Sequence, residues 1–223
     1  MKIRIPEGYN VKPVYPKSVF LSVFETAIAG LEEHARALLE CGVETIYASS
    51  GTAAYLKGCG VPVIDFNQKV TGLPTIMDHR VATLGYPSAG MILARHNNVV
   101  HMEQLAKYCC GIAEKVPPLD LVLDAIYPFE DAAKKGEVDL LTAVENIDIG
   151  GPTLLRAAAK NFEWVVPIPG MKCMEEVIAE LRTGKGISFD FRVDHAITTF
   201  SKLSRYDAAI ANFLERSFIP ESI

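Results

Sequence analysis

The feature that most constrains this chain is an alternation of short apolar runs with amphipathic segments. "SVFLSVF" (18–24), "VETIYAS" (43–49), "VPVIDF" (61–66), "LDLVLDAIYPF" (119–129) and "WVVPIP" (164–169) read as strands. Between them, "AIAGLEEHARALLECG" (27–42) sets Leu31, Ala35, Leu38 and Leu39 on one helical face and stops at Gly42. "SGTAAYLKGCG", "VHMEQLAKYCCGIAEK" (100–115), "DLLTAVENI", "TLLRAAAKN" and "MEEVIAELRTG" are further helix candidates. Strands alternating with helices predict an α/β fold: a mostly parallel sheet covered by helices on both faces. The pattern changes near residue 189, where "DFRVDHAITTFSKLSRYDAAIANFLERSF" predicts C-terminal helices and no further strand. Residues 1–223 read as a single domain, with 1–17 an N-terminal extension and about 189–217 a helical C-terminal segment. The stretch 67–98 reads as irregular and polar, and a loop of that kind at a strand's carboxyl end suits a ligand.

Composition removes several function classes. Hydrophobic residues are 49% and charged residues 22%, enough apolar surface for a sizeable core. A net charge of -5 with no lysine-rich run argues against a nucleic-acid partner. No apolar run approaches the roughly 20 residues of a membrane span, and no signal core precedes the early prolines. Five scattered cysteines without a CxxC pair argue against a zinc or disulfide framework. His34, His96 and His101 show no ligand spacing, and His195 reads as a satisfied or exposed helix residue. The expectation is a cytoplasmic protein with no metal and no cofactor.

Two stretches point to chemistry. "SSGT" (Ser49, Ser50, Gly51, Thr52) follows a strand and opens a helix, where unpaired N–H groups and the helix dipole favour an anion. An ordinary capped turn is the alternative for those residues. "ENIDIGGPTLLRAAAKN" (145–161) places Asp148 before Gly150 and Gly151, read as a tight turn, with Pro152 opening a helix. On that helix Thr153, Arg156 and Lys160 share a face. The reading is an acid and two cations gathered around one ligand, against a surface helix with solvated charges.

The second stretch resembles the signature of the inosine monophosphate (IMP) cyclohydrolase domain, found in the bifunctional enzyme of the last two steps of purine synthesis. "YASSGTAAYLKGCGVPV", "LPTIMDHRVATL", "GMILAR", "LDLVLDAIYPFEDA" and "TTFSKLSRYDAAIANFL" resemble other segments of that family in the same order, covering roughly 18–217. The resemblance implies a methylglyoxal-synthase-like fold. It implies closure of 5-formamidoimidazole-4-carboxamide ribotide to IMP with loss of water, without metal or organic cofactor. It implies Asp148 positioning the carboxamide, Lys160 at the oxyanion and Tyr127 as donor or relay. Ser50, Gly51, Thr52, Arg80 and Thr83 match ribotide-phosphate contacts, and Ser49, Gly150 and Gly151 complete the nucleotide-binding set. The partner implied is a small purine ribotide, with a separate formyltransferase upstream and self-association into a homo-oligomer.

The departures are specific. The family's arginine-valine-lysine-threonine motif is "RVAT", so its lysine is Ala82. The asparagine before the tyrosine is Ala125, the early serine-aspartate-lysine is "FET", and the usual histidine is Gly85. Two readings follow: a stand-alone cyclohydrolase in which His79, Tyr86 or Lys160 covers the lost lysine, or a relative that binds a purine-like ribotide and closes another ring or only binds.

Overall fold

The computed structural model describes residues 4–74, 76–77, 80–126, 129 and 140–218. Along the chain lie β1 (Ser18–Val23), α1 (Leu31–Glu40), β2 (Thr45–Ala48), α2 (Ser50–Gly58) and β3 (Ile64–Asp65). There follow α3 (Tyr86–Leu93), α4 (Val99–Tyr108), β4 (Leu121–Ala125), α5 (Leu140–Glu145) and α6 (Gly150–Lys160). The chain continues through β5 (Val166–Ile168), α7 (Met171–Arg182) and α8 (Phe189–Phe218). The sheet has the order β3-β2-β1-β4-β5 and every pairing in it is parallel.

The strands are apolar because both faces of the sheet are covered. Successive side chains divide between two cores. Val19, Leu21 and Val23 of β1 pack with Leu31, Ala35 and Leu38 of α1 and Met174 and Val177 of α7. Phe20 of β1 and Val122 of β4 face the other way, toward Met91 and Ile92 of α3, Leu105 of α4 and Leu154 and Ala158 of α6. A smaller cluster joins Leu203 and Tyr206 of α8 to Leu155, Ile126 and Phe129. The buried Arg192 of α8 ties down the N-terminal strap, donating to the carbonyls of Asn10 and Lys12 and to those of Phe162, Glu163 and Ile187.

Strand order reverses between β1 and β4, and a crevice opens there at the carboxyl ends of the strands. Ser22 lies opposite Asp124, and Val23 opposite Ala125, at that edge.

Local differences from the sequence expectation have packing causes. The stretch read as irregular contains α3, a helix with Gly90 in its interior. A Cβ at Gly90 would lie 2.4 Å from Cys109 Sγ, so the glycine is what lets α3 press against the end of α4. The helix expected over 100–115 ends at Tyr108. Gly111 has φ +58° and its Cα abuts the Val70 carbonyl, to which Ile112 N–H donates at 2.8 Å. The third strand shrinks to two residues, and the C-terminal segment is one helix of 30 residues. Among the described residues no helix is long and apolar enough to cross a membrane.

Candidate active site

A cleft of about 880 Å³ occupies the switch point. Its walls are the end of β1 (22–25), Ser49 and Gly51 at the start of α2, the 80–84 segment, Asp124 and Ala125 at the end of β4, and the approach to α6 (144–151). Two helices therefore present their N-termini to one cavity, and they are furnished differently.

At α2, Ser49 holds the N-cap position in an extended conformation but makes no side-chain cap. Its hydroxyl instead donates to Thr52 Oγ1 at 3.1 Å. Ser50 Oγ turns away to Asp65 Oδ1 at 3.1 Å. Thr52 is buried, and its Oγ1 accepts from Val23 N–H (3.0 Å) and donates to the Val23 carbonyl (3.3 Å). Thr52 was expected among the phosphate contacts; its hydroxyl is spent on fixing the end of β1. The hydroxyls are thus engaged within the protein, and the first-turn backbone N–H groups have no side-chain cap from Ser49. At Gly51 the place a Cβ would take has no protein atom within 4 Å, so the backbone is open to the cleft.

At α6 the anion is supplied by the protein. Gly150 and Gly151 are the first two residues of the helix, not a turn ahead of it. Asp148 Oδ1 accepts from Gly151 N–H at 3.1 Å, which caps the helix start. The Asp148 N–H donates to Tyr206 Oη at 2.7 Å, fixing the acid against α8. Thr83 is buried nearby: a Cβ on Gly150 would sit 3.6 Å from its Oγ1 and 3.9 Å from Asp148 Oδ1.

The floor of the cleft holds a second carboxyl, Asp124, which sequence reading passed over inside an apolar strand. Its side chain is buried, and a Cβ on Gly151 would lie 2.3 Å from Asp124 Oδ1. The second glycine of the pair therefore makes room for this acid. Burial, and next the charge of Asp148, push the Asp124 carboxyl well above the usual carboxylate range, against hydrogen bonding from Ser22 and the more distant Lys202 ammonium. Burial also raises Asp148, opposed by the Gly151 and Gly150 N–H groups. The Tyr206 phenol is pushed up to about 12, mainly by burial. Both carboxyls are thus held above their ordinary range, Asp124 the more strongly, so a proton is favoured on Asp124 first.

The remaining expected residues are placed as follows. Arg80 lines the cleft, paired to Glu145 through Nε (3.2 Å) and Nη2, and its guanidinium holds Glu145 below its ordinary value. Ala82 also lines the cleft and brings no polar group. Lys160 is not brought to the site. It is exposed at the far end of α6, and 10 residues of helical rise put it about 15 Å from Gly150. Arg156 pairs outward with Asp207 of α8 at 3.0 Å. The expected gathering of one acid and two cations around a ligand is corrected: the acid faces the cleft, and the helix carries the cations away from it. Tyr86 is exposed and outside the cleft lining, while Tyr127 and His79 lie outside the described residues.

This layout defines an open, doubly wound α/β domain with a cleft at the carboxyl edge of its sheet. The chain belongs to the MGS-like domain family, whose model matches residues 30–153. A second model, the AICARFT/IMPCHase bienzyme, matches residues 158–222. Among curated proteins, the bifunctional purine biosynthesis protein PurH of Acetivibrio thermocellus is 40% identical over 185 residues, 83% of this chain and 34% of that protein. PurH of Listeria monocytogenes serovar 1/2a is 38% identical over 185 residues, 83% of this chain and 35% of its own length. The chain thus spans about a third of the curated relatives it matches. Among solved structures, that titled "Crystal structure of ForH" aligns with TM-score 0.65 and 30% identity, covering 87% of this chain and 96% of that one.

Proposed function

We propose that the cleft binds a purine ribotide and closes its second ring, converting 5-formamidoimidazole-4-carboxamide ribotide to IMP and water. The observation that carries this reading is the Asp124–Asp148 carboxyl pair in the switch-point crevice, which the uncapped start of α2 also lines. Similarity to PurH supplies the substrate class.

The chemistry assigns each group a task. The ribotide phosphate lies on the first-turn N–H groups of α2 beside Gly51, with Arg80 at the rim. That directs the heterocycle toward the carboxyls. The carboxamide nitrogen attacks the formyl carbon, forming the C–N bond, and its proton passes to the ionised Asp148. The formyl oxygen gains charge and takes the proton held on Asp124, becoming a hydroxyl. Loss of that hydroxyl as water needs one more proton, which Asp148 returns, while the former formamido nitrogen gives up its proton to Asp124 as its double bond to the former formyl carbon forms. The pair therefore ends as it began. Thr83 borders Asp148 as a further hydroxyl, and Tyr127, which follows Ile126 after β4, is the family's donor or relay. Lys160 has no part in this scheme.

A different ring closure is the second reading, favoured by one observation: Ala82 and Ala125 leave the cleft wall without the family's lysine and amide. Mixing purified protein with the formamido ribotide and following the ultraviolet change against an enzyme-free control separates the two. Cyclisation above the uncatalysed rate supports the first reading. Tight binding without acceleration supports the second.

A further inference from the structure

A second cluster of reactive side chains lies between α7 and the first half of α8, outside the cleft. Cys173 and Glu176 are three residues apart on α7 and share a face. His195 of α8 meets them there. The Cys173 Sγ, a Glu176 carboxylate oxygen and a ring nitrogen of His195 all lie within 4.8 Å of one another. Tetrahedral ligands on bonds of about 2.0–2.3 Å stand about 3.3–3.8 Å apart; His195 Nε2 and Glu176 Oε2 already have that separation at 3.8 Å, and an ion would draw the third group in by up to about 1 Å.

The histidine is prepared for the task. Its ring is 5% exposed and stacks on Phe191 with centroids 4.1 Å apart. Nδ1 lies 3.1 Å from the Phe191 carbonyl, an acceptor, so Nδ1 carries the hydrogen and Nε2 presents a lone pair. This backbone contact is the kind that orients metal-bound histidines. The buried Nε2 has no hydrogen-bond partner. Its nearest acid, Glu176 Oε2, stands at 3.8 Å, too far for a hydrogen bond. Leaving a buried ring nitrogen unpaired is costly, and a cation between the three groups removes that cost.

We propose that Cys173, Glu176 and His195 bind a borderline-soft divalent cation of the zinc class, with water as the fourth ligand. Thiolate and carboxylate neutralise the ion. The ion would pin α8 to α7. Sequence reading expected no metal because linear spacing shows nothing: the ligands come from two helices.

The test is titration of chelator-treated, tag-free protein with Co²⁺, followed by absorption, and with Zn²⁺, followed by thermal melting. The expected result is one Co²⁺ per chain with a thiolate-to-cobalt charge-transfer band, and a Tm that rises with Zn²⁺ concentration. Cys173→Ser should abolish the band, and Glu176→Gln, at an exposed position that leaves folding intact, should weaken binding at least tenfold. No binding at micromolar metal, a band that survives Cys173→Ser, or affinity unchanged in Glu176→Gln would each overturn the proposal.

Discussion

The starts of α2 and α6 face the same cleft and solve the same electrostatic problem in opposite ways. Each offers unpaired N–H groups and a positive dipole end. At α6 the protein satisfies them with its own anion, Asp148. At α2 Ser49 has the position of a cap, yet its hydroxyl goes to Thr52. The lesson is that a helix start serves a ligand only where the chain withholds its own acceptor. The two glycines differ likewise: Gly51 faces open space, whereas Gly151 faces the buried Asp124 carboxyl.

The largest expected effects lie on the α6 side, where chemistry is placed. Asp148→Asn and Asp124→Asn should each lower turnover by about 100- to 10,000-fold, the usual worth of general acid–base catalysis, with a much smaller change in IMP affinity. Steady-state rates set beside calorimetry read both quantities. Normal turnover in both variants would dissolve the distinction between the two helix starts.

Asp124→Asn should also change stability in a direction set by the raised carboxyl. The unfolded chain releases this proton at a lower pH than the folded one. Between those two values the folded state binds more protons, so stability falls as pH rises through the folded value. The asparagine variant loses that dependence. Its Tm should vary less with pH than the wild type's and exceed it at neutral pH, so thermal melts over a pH series check the assignment. A Tm below wild type at neutral pH would mean that the carboxylate is stabilised, not strained.

The glycines sharpen the comparison next. Gly151→Ala forces a methyl onto Asp124 and should destabilise by about 1–3 kcal/mol, the cost typical of overpacking. Gly51→Ala should melt within about 0.5 kcal/mol of the wild type and still lose ribotide affinity. Reversed sensitivities in denaturant titrations would exchange the roles given to the two helix starts.

Smaller still are the cations. Arg80→Ala should weaken ribotide binding by about tenfold, at the low end for a charge-assisted contact because Arg80 is exposed and shares its charge with Glu145. Lys160→Ala should leave turnover unchanged, since its helix carries it about 15 Å from the cleft. A rate loss there comparable to that of Asp148→Asn would require Lys160 to reach the reacting atoms by another route.

What could be read in the sequence divides along the same physical line. Period-two and period-3.6 apolar patterns locate the strands and helices because burial on a sheet face or helix stripe is local information. The Ser49–Thr52 turn was legible as a place where backbone N–H groups converge; the Asp148–Gly151 segment was legible as an acid beside a ligand, but its glycines were read as a turn and instead open the helix. The direction in which α6 leaves the cleft was not: periodicity puts Arg156 and Lys160 on one face without saying where the axis points. Asp124 was hidden because one acid in "LVLDA" does not disturb an apolar run, although an ionisable residue at the carboxyl end of a buried strand is itself a signal. Helix α3 was hidden in a stretch read as irregular and polar, and its close approach to Cys109 at Gly90 is a tertiary contact that no local preference encodes. The Cys173, Glu176 and His195 cluster needs two helices to dock before it exists.

The division of labour between the two helix starts is tested most directly by a crystal structure of the protein with IMP. The account predicts the phosphate on the first-turn N–H groups of α2, beside Gly51, with the six-membered ring against Asp124 and Asp148 and the Asp148 cap on Gly151 intact. A phosphate at the start of α6, with Asp148 displaced from Gly151, would contradict it.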